Sequence, residues 1–216
     1  MHNTSNMTNE IIEQYFDSLA HDWDDYQECP QEVKRTLLER AGVGAGARVL
    51  DVACGTGAVT EELHSLTGEK VVGIDLSGEM IAVAKRKFAG QSWAEFEKVD
   101  FLQFAPTKSE QSPQQKQKGE AFEAFDFVVI YNAYPHFMNV SALRDKAYSL
   151  LAKGGKLAII HSIGRECLNA HHKQHADHVS RMIGSPLHEA KSFEPLFKVE
   201  IAEEDEKHYL LVLTKK

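Results

Sequence analysis

Apolar and polar positions along the chain divide it into short apolar runs separated by segments of helical spacing. The runs at 49–52, 70–75, 125–131 and 157–161 are too short for helices and rich in Val and Ile, and two of them end at Asp75 and His161. They read as strands buried on both faces. Residues 93–99, WAEFEKV, alternate in the manner of a further strand ending at Asp100. Between these runs, apolar side chains recur three and four residues apart: Ile11, Ile12, Tyr15, Phe16 and Leu19; then Val59, Leu63 and Leu66; then Met80, Ile81, Ala84 and Phe88; then Val140, Leu143, Ala147 and Leu150. Pro30 opens a helix that Gly42 closes, and Ser77 is placed to cap the helix through Met80. Strands alternating with helices predict an α/β fold on a mostly parallel sheet. The tail departs from this rhythm, since 197–203 and 208–213 are two strands joined by the acidic turn EEDEK, an antiparallel pair at the sheet edge.

At 216 residues and 43% hydrophobic, the chain is long enough for one well-buried core, and a single domain over 1–216 is expected. Residues 1–44 are expected to form an N-terminal helical lid. Residues 107–121, TKSEQSPQQKQKGEA, lack any period and read as a flexible surface insertion. The formal charge of −8 argues against a nucleic-acid footprint and favours a small-molecule partner. Cys29, Cys54 and Cys167 are an odd number without CxxC spacing, which points to a reducing compartment. A polar N-terminus and no long apolar run predict a cytoplasmic protein without stable membrane association, as monomer or homodimer.

Candidate chemistry gathers where strands end. After Val49–Val52 comes Cys54-Gly55-Thr56-Gly57, whose glycines let a ligand approach the backbone. The dinucleotide fingerprint fails because position 60 is Thr, and no Lys-Ser or Lys-Thr follows for a phosphate loop. The second strand ends in Asp75, either a helix-start charge or a carboxylate able to accept from both hydroxyls of a ribose. The fourth opens into Asn132-Ala-Tyr134-Pro-His136 and the fifth ends at His161, at the sheet edge where ligands sit. His136 and His161 are candidate bases or structural histidines, and Tyr134 and Asn132 candidate orienting groups. Tyr15 and Trp23 either pack on the core or close over the site and touch substrate. Six of the eleven histidines lie between 161 and 188, and His171, His175 and His178 share a face if that stretch is helical. No metal site is assigned to them.

The runs LDVACGTG, VVGIDLSGEMIAVAKRKF and FDFVVIYNAYPHF resemble motifs I, II and IV of the class I S-adenosylmethionine-dependent methyltransferases, and LLAKGGKLAII resembles the turn that follows. The resemblance covers about residues 45–165. It implies a Rossmann-like three-layer sandwich with a seven-stranded, mostly parallel sheet and an antiparallel C-terminal strand. It also implies S-adenosylmethionine as methyl donor, with S-adenosylhomocysteine as product. Donor contacts carry over to Asp51, Ala53, Gly55, Gly57, Asp75, Leu76, Met80, Asp100, Phe101 and Tyr131, with Asp75 at the ribose and Asp100 and Phe101 at the adenine. The motifs are similar to those of ubiquinone and menaquinone biosynthesis methyltransferases, although the GLRN-type segment after the fourth strand is absent. The (N/D)PPY tetrapeptide of nucleobase methyltransferases is also absent, which again points to a small-molecule acceptor. A reading from another class is a binding protein that senses a metal or tetrapyrrole through the histidine-rich 161–188 segment.

Overall fold

The computed structural model describes residues 4–26, 29–106, 124–175 and 179–216. Three helices, α1 (Thr4–Leu19), α2 (Trp23–Tyr26) and α3 (Gln31–Arg40), precede the sheet. Strands and helices then alternate: β1 (Val49–Val52), α4 (Thr60–Thr67), β2 (Val71–Asp75), α5 (Gly78–Lys87) and β3 (Ala94–Lys98). On the far side of the expected insertion, which lies outside the described residues, come β4 (Phe125–Tyr131), a 3-10 turn at Tyr134–His136, α6 (Val140–Leu150) and β5 (Leu151–His161). The chain closes with α7 (Arg165–His175), α8 (Pro186–Ala190), β6 (Phe197–Glu204) and β7 (Tyr209–Lys215).

The seven strands form one sheet in the order β3-β2-β1-β4-β5-β7-β6. Strands β1 to β5 pair in parallel, and β7 runs antiparallel between β5 and β6. The expected mixed sheet is therefore present, with its last strand inserted beside β5. Every residue of β1 is buried because helices cover both faces, and a parallel sheet needs that cover on each side. The period of two sends alternate side chains to two cores. Leu50, Val128, Ile130, Leu157 and Ile159 join Leu143 and Ala147 of α6. Val49, Phe127, Val129, Ala158 and Ile160 join Leu37 and Leu38 of α3 and Leu63 of α4.

Two segments depart from the sequence pattern. Strand β5 begins at Leu151 rather than at the apolar run, because the Lys-Gly-Gly turn is absorbed as an irregularity between the pairs Phe125↔Leu151 and Phe127↔Lys156. Gly155 is required there, since a Cβ would stand 3.0–3.1 Å from the carbonyl oxygens of Ala152, Phe125 and Asp126. The histidine-rich stretch is helical as far as His175, and His178 lies outside the described residues.

Leu50 is fully buried at the centre of the sheet. Replacing Leu50 with Ala should cost about 2–5 kcal/mol, read as a lower urea midpoint at unchanged slope. A loss below about 1 kcal/mol would mean that β1 is not tightly packed on α6.

Candidate active site

The sheet order reverses between β1 and β4, so the loops leaving these adjacent parallel strands turn apart and open a crevice at their carboxyl ends. The first residue beyond each strand marks the divergence: Ala53 and Asn132 both hold φ of 55°, the left-handed region that costs a residue with a Cβ of order 1 kcal/mol. Asn132 is held in that conformation by neighbouring β5. Its amide accepts from the Ser162 backbone N–H at 2.9 Å and donates to the Ser162 hydroxyl at 3.0 Å. The crevice widens into a cavity of about 650 Å³.

On one side the cavity is built around Asp75. Its carboxylate accepts from the Gly55 N–H and the Ser77 N–H, each at 2.8 Å, so one side chain ties the glycine loop to the start of α5. Burial pushes its pKa up to about 6, against the pull of the backbone N–H groups of Ser77, Gly55 and Leu76. Ala53, Gly55, Leu76, Met80, Asp100 and Phe101 line the same end. A Cβ on Gly55 would stand 3.5 Å from the Trp23 indole nitrogen, within the narrow space between loop and ring. Gly57 and Asp51 are not on the wall. At φ +85°, a Cβ on Gly57 would press within 2.6 Å of Phe88, and Asp51 is buried below the loop, accepting from the Thr60 hydroxyl at 3.1 Å. Burial raises the Asp51 pKa to about 7, the Thr60 hydroxyl opposing it. Both residues shape the loop from behind.

Helices α1 and α2 supply the outer wall through Asn9, Ile12, Glu13, Phe16 and Trp23. They are tied to the glycine loop, the β3 region and α5 by polar contacts. Asn9 donates to Asp100 at 2.9 Å, Glu13 pairs with Lys98 at 2.5 Å, and Asp17 accepts from the Ser77 hydroxyl at 2.5 Å. Asp24 of α2 accepts from the Thr56 hydroxyl at 2.5 Å and pairs with Lys87 at 2.7 Å. Tyr15 faces elsewhere, half-buried beside Phe16 and packed with Ile12 and Val179.

From the β4 side the cavity is lined by Tyr131, Asn132, His136 and Phe137, the last packed edge-on against Phe101 at 6.1 Å. The His136 ring meets Phe16 edge-on at 4.8 Å, and its Nδ1–H donates to the Val179 carbonyl at 3.0 Å. A carbonyl demands the proton on Nδ1, which leaves Nε2 as the acceptor. Burial lowers the His136 pKa to about 4, so the ring is neutral near pH 7. Tyr131 donates to the Cys29 sulfur at 3.5 Å, and burial raises its pKa.

Tyr134 and His161, the other two candidate catalytic groups, are not on the cavity wall. Three residues per turn in the 3-10 segment place Tyr134 and His136 on different sides. Tyr134 is fully buried, donates to Glu189 at 2.7 Å, and carries the Arg181 guanidinium 4.5 Å over its ring. Its hydroxyl is committed to structure. His161 is fully buried beside Tyr209, with ring centroids 5.7 Å apart. Among the described residues neither of its ring nitrogens has a hydrogen-bond partner, nor do His172 Nδ1 and the Tyr209 hydroxyl. The rings of His136 and His172 lie 5.1 Å apart, and burial together with the neighbouring imidazoles holds His161 near pKa 3 and His172 near 4. Among the described residues, no three His, Cys, Asp or Glu side chains are gathered to hold a metal ion.

Residues 50–157, half of the chain, match the family described as "Methyltransferase domain". The chain belongs to this family. It is of the class I S-adenosylmethionine-dependent type. Similar proteins include the ubiquinone/menaquinone biosynthesis C-methyltransferase UbiE of Geotalea daltonii, 29% identical over 158 residues, covering 70% of this chain and 63% of that one. The ubiquinone biosynthesis O-methyltransferase of Xanthomonas euvesicatoria is 30% identical over 149 residues, covering 69% of this chain and 57% of that one. The chain thus spans less than two thirds of either relative. Its fold is shared with a solved structure named as a DhpI–SAH complex, with a TM-score of 0.69 and 21% identity over 96% of each chain.

In this chain the polar positions of α1 escape a sequence reading. Asn9, Glu13 and Asp17 recur every four residues next to the Ile12 and Phe16 stripe, a pattern that also describes an ordinary solvated helix face. Only their partners on β3, the residues after it and α5 set them apart.

The buried His161 gives a test of this arrangement. A depressed folded pKa means that the folded state binds fewer protons than the unfolded one below about pH 6.5, so stability is lost as pH falls from there toward 3. Replacing His161 with Phe should remove about 2 kcal/mol of that loss between pH 7.5 and pH 5, read from urea melts at both pH values. A wild-type to variant difference that is the same at both would refute the buried neutral imidazole.

Proposed function

We propose that this protein transfers a methyl group from S-adenosylmethionine to a small-molecule acceptor held between the glycine loop and His136. The observation that carries this reading is the Asp75 carboxylate, fixed by the Gly55 and Ser77 N–H groups on the wall of a 650 Å³ cavity. That volume suits a small ligand pair. The charged side chains on the wall are Glu13, Asp75 and Asp100, with no Lys or Arg among the described residues, which favours a cationic donor over an anionic one.

The donor supplies an activated methyl group whose bond to sulfur breaks as the acceptor's lone pair forms a bond to carbon in line with it, the sulfur keeping the electron pair. The protein's part is to hold both partners. Asp75 accepts from the ribose hydroxyls, while Leu76, Met80 and Phe101 enclose the base beside Asp100. Held in near-attack geometry, the pair gains on the order of 7–11 kcal/mol over free encounter. His136 is neutral and offers Nε2, so it accepts a hydrogen bond from an acceptor hydroxyl, amine or thiol and orients its lone pair. Asn132 and Tyr131 flank it. Trp23 and Phe16 close the cavity from outside, which makes α1 and α2 a lid that keeps water from the reacting atoms. Tyr134 and His161 act on this geometry only through packing.

Calorimetric titration with S-adenosylmethionine, S-adenosylhomocysteine and NAD tests the donor. Binding of the two adenosyl ligands with no response to NAD is expected. Replacing Asp75 with Ala should weaken S-adenosylhomocysteine by about 1.5–3 kcal/mol, ten- to over a hundredfold, and unchanged affinity would remove Asp75 from the site. Release of S-adenosylhomocysteine on incubation with candidate acceptors separates an enzyme from a binding protein, which would hold the donor without turnover.

A further inference from the structure

The Asn9 side chain of α1 reaches a carboxylate on the cavity wall. Its Nδ2 donates to Asp100 Oδ2 at 2.9 Å, while Asp100 Oδ1 accepts from the Leu102 N–H at 2.9 Å. A carboxylate oxygen cannot face an amide oxygen without repulsion, so the contact fixes which way the Asn9 amide points. Its Oδ1 is left as an acceptor beside the remaining lone pairs of Asp100. Two adjacent groups therefore offer acceptors to the cavity, at an end otherwise lined by Leu76, Val99, Phe101 and Leu102. Such a wall takes a flat apolar ring that carries a donor of two hydrogens. A ring with a carbonyl in that place would set oxygen against oxygen.

We propose that Asn9 is a specificity-determining residue for the donor: its carboxamide oxygen and the Asp100 carboxylate together accept the exocyclic amine of the adenine. This rests on the donor reading given above. The contact is preorganised, because the same face of α1 is anchored at two further points. Glu13 pairs with Lys98 at 2.5 Å, and Asp17 accepts from the Ser77 hydroxyl at 2.5 Å and from the Glu79 N–H at 3.1 Å. Spacing of four residues brings Asn9, Glu13 and Asp17 onto one side of the helix, and the two lower anchors hold Asn9 in register with Asp100. Base selection then belongs to the N-terminal helix as well as to the sheet.

The test is calorimetric titration of the full chain with S-adenosylhomocysteine and with S-inosylhomocysteine, which carries a carbonyl where adenine carries its amine. The wild type should prefer the adenosyl ligand by at least about tenfold. Asn9→Ala should lower adenosyl affinity by about five- to tenfold and leave inosyl affinity within about twofold, so that the preference collapses. Equal losses for both ligands would show that Asn9 only seats the helix, and no loss would show that it touches neither base; each overturns the inference. A wild type that fails to bind S-adenosylhomocysteine would instead overturn the donor reading, and the inference with it.

Discussion

One carboxylate holds the β2 side of the cavity together. Asp75 ends β2 and reaches both the Gly55 N–H of the loop after β1 and the Ser77 N–H at the head of α5. Ser77 in turn caps α5 through the Met80 N–H at 3.1 Å and donates its own hydroxyl to Asp17 of α1. Strand end, glycine loop, helix start and N-terminal helix are thus four parts of one hydrogen-bonded unit. The cost of keeping that carboxylate out of water appears in its pKa, raised to about 6 by burial. Hydroxyl donors from a bound ligand would relieve that cost.

Charge is unevenly spread over the cavity wall. Toward α1 and β3 the wall is acidic, through Glu13, Asp75 and Asp100. Toward β4 its titratable ring is His136, which burial keeps neutral. Behind His136, the unpartnered nitrogens of His161 and His172 and the Tyr209 hydroxyl keep polar capacity inside the protein. Buried polar groups of this kind cost stability. Their protonation would add like charges to one another, and that couples this end of the sheet to acid.

The strands, the order of helices and the donor-side loop were legible in the sequence because each depends on local spacing. Periods of two and of 3.6 separate β1 to β5 from the helices between them, and a Gly-rich loop and an Asp at consecutive strand ends can be read without knowing what they touch. Asp75 and Asp100 line the cavity. Tyr134 and His161 do not, because the end of a strand does not say which way the next side chain turns. A single 3-10 turn sends Tyr134 to Glu189 and His136 to the cavity.

What the sequence by itself determined is the α/β class, the alternation of strands and helices, and the chemical types gathered at the strand ends. These follow from hydrophobic period and from residues whose backbone demands are local. Only the tertiary structure decided which of those residues share a cavity, that Asn9 meets Asp100 across 91 positions of chain, and that β7 enters beside β5. Such contacts join segments far apart in the chain, and their energies come from burial and partner geometry that no local pattern records.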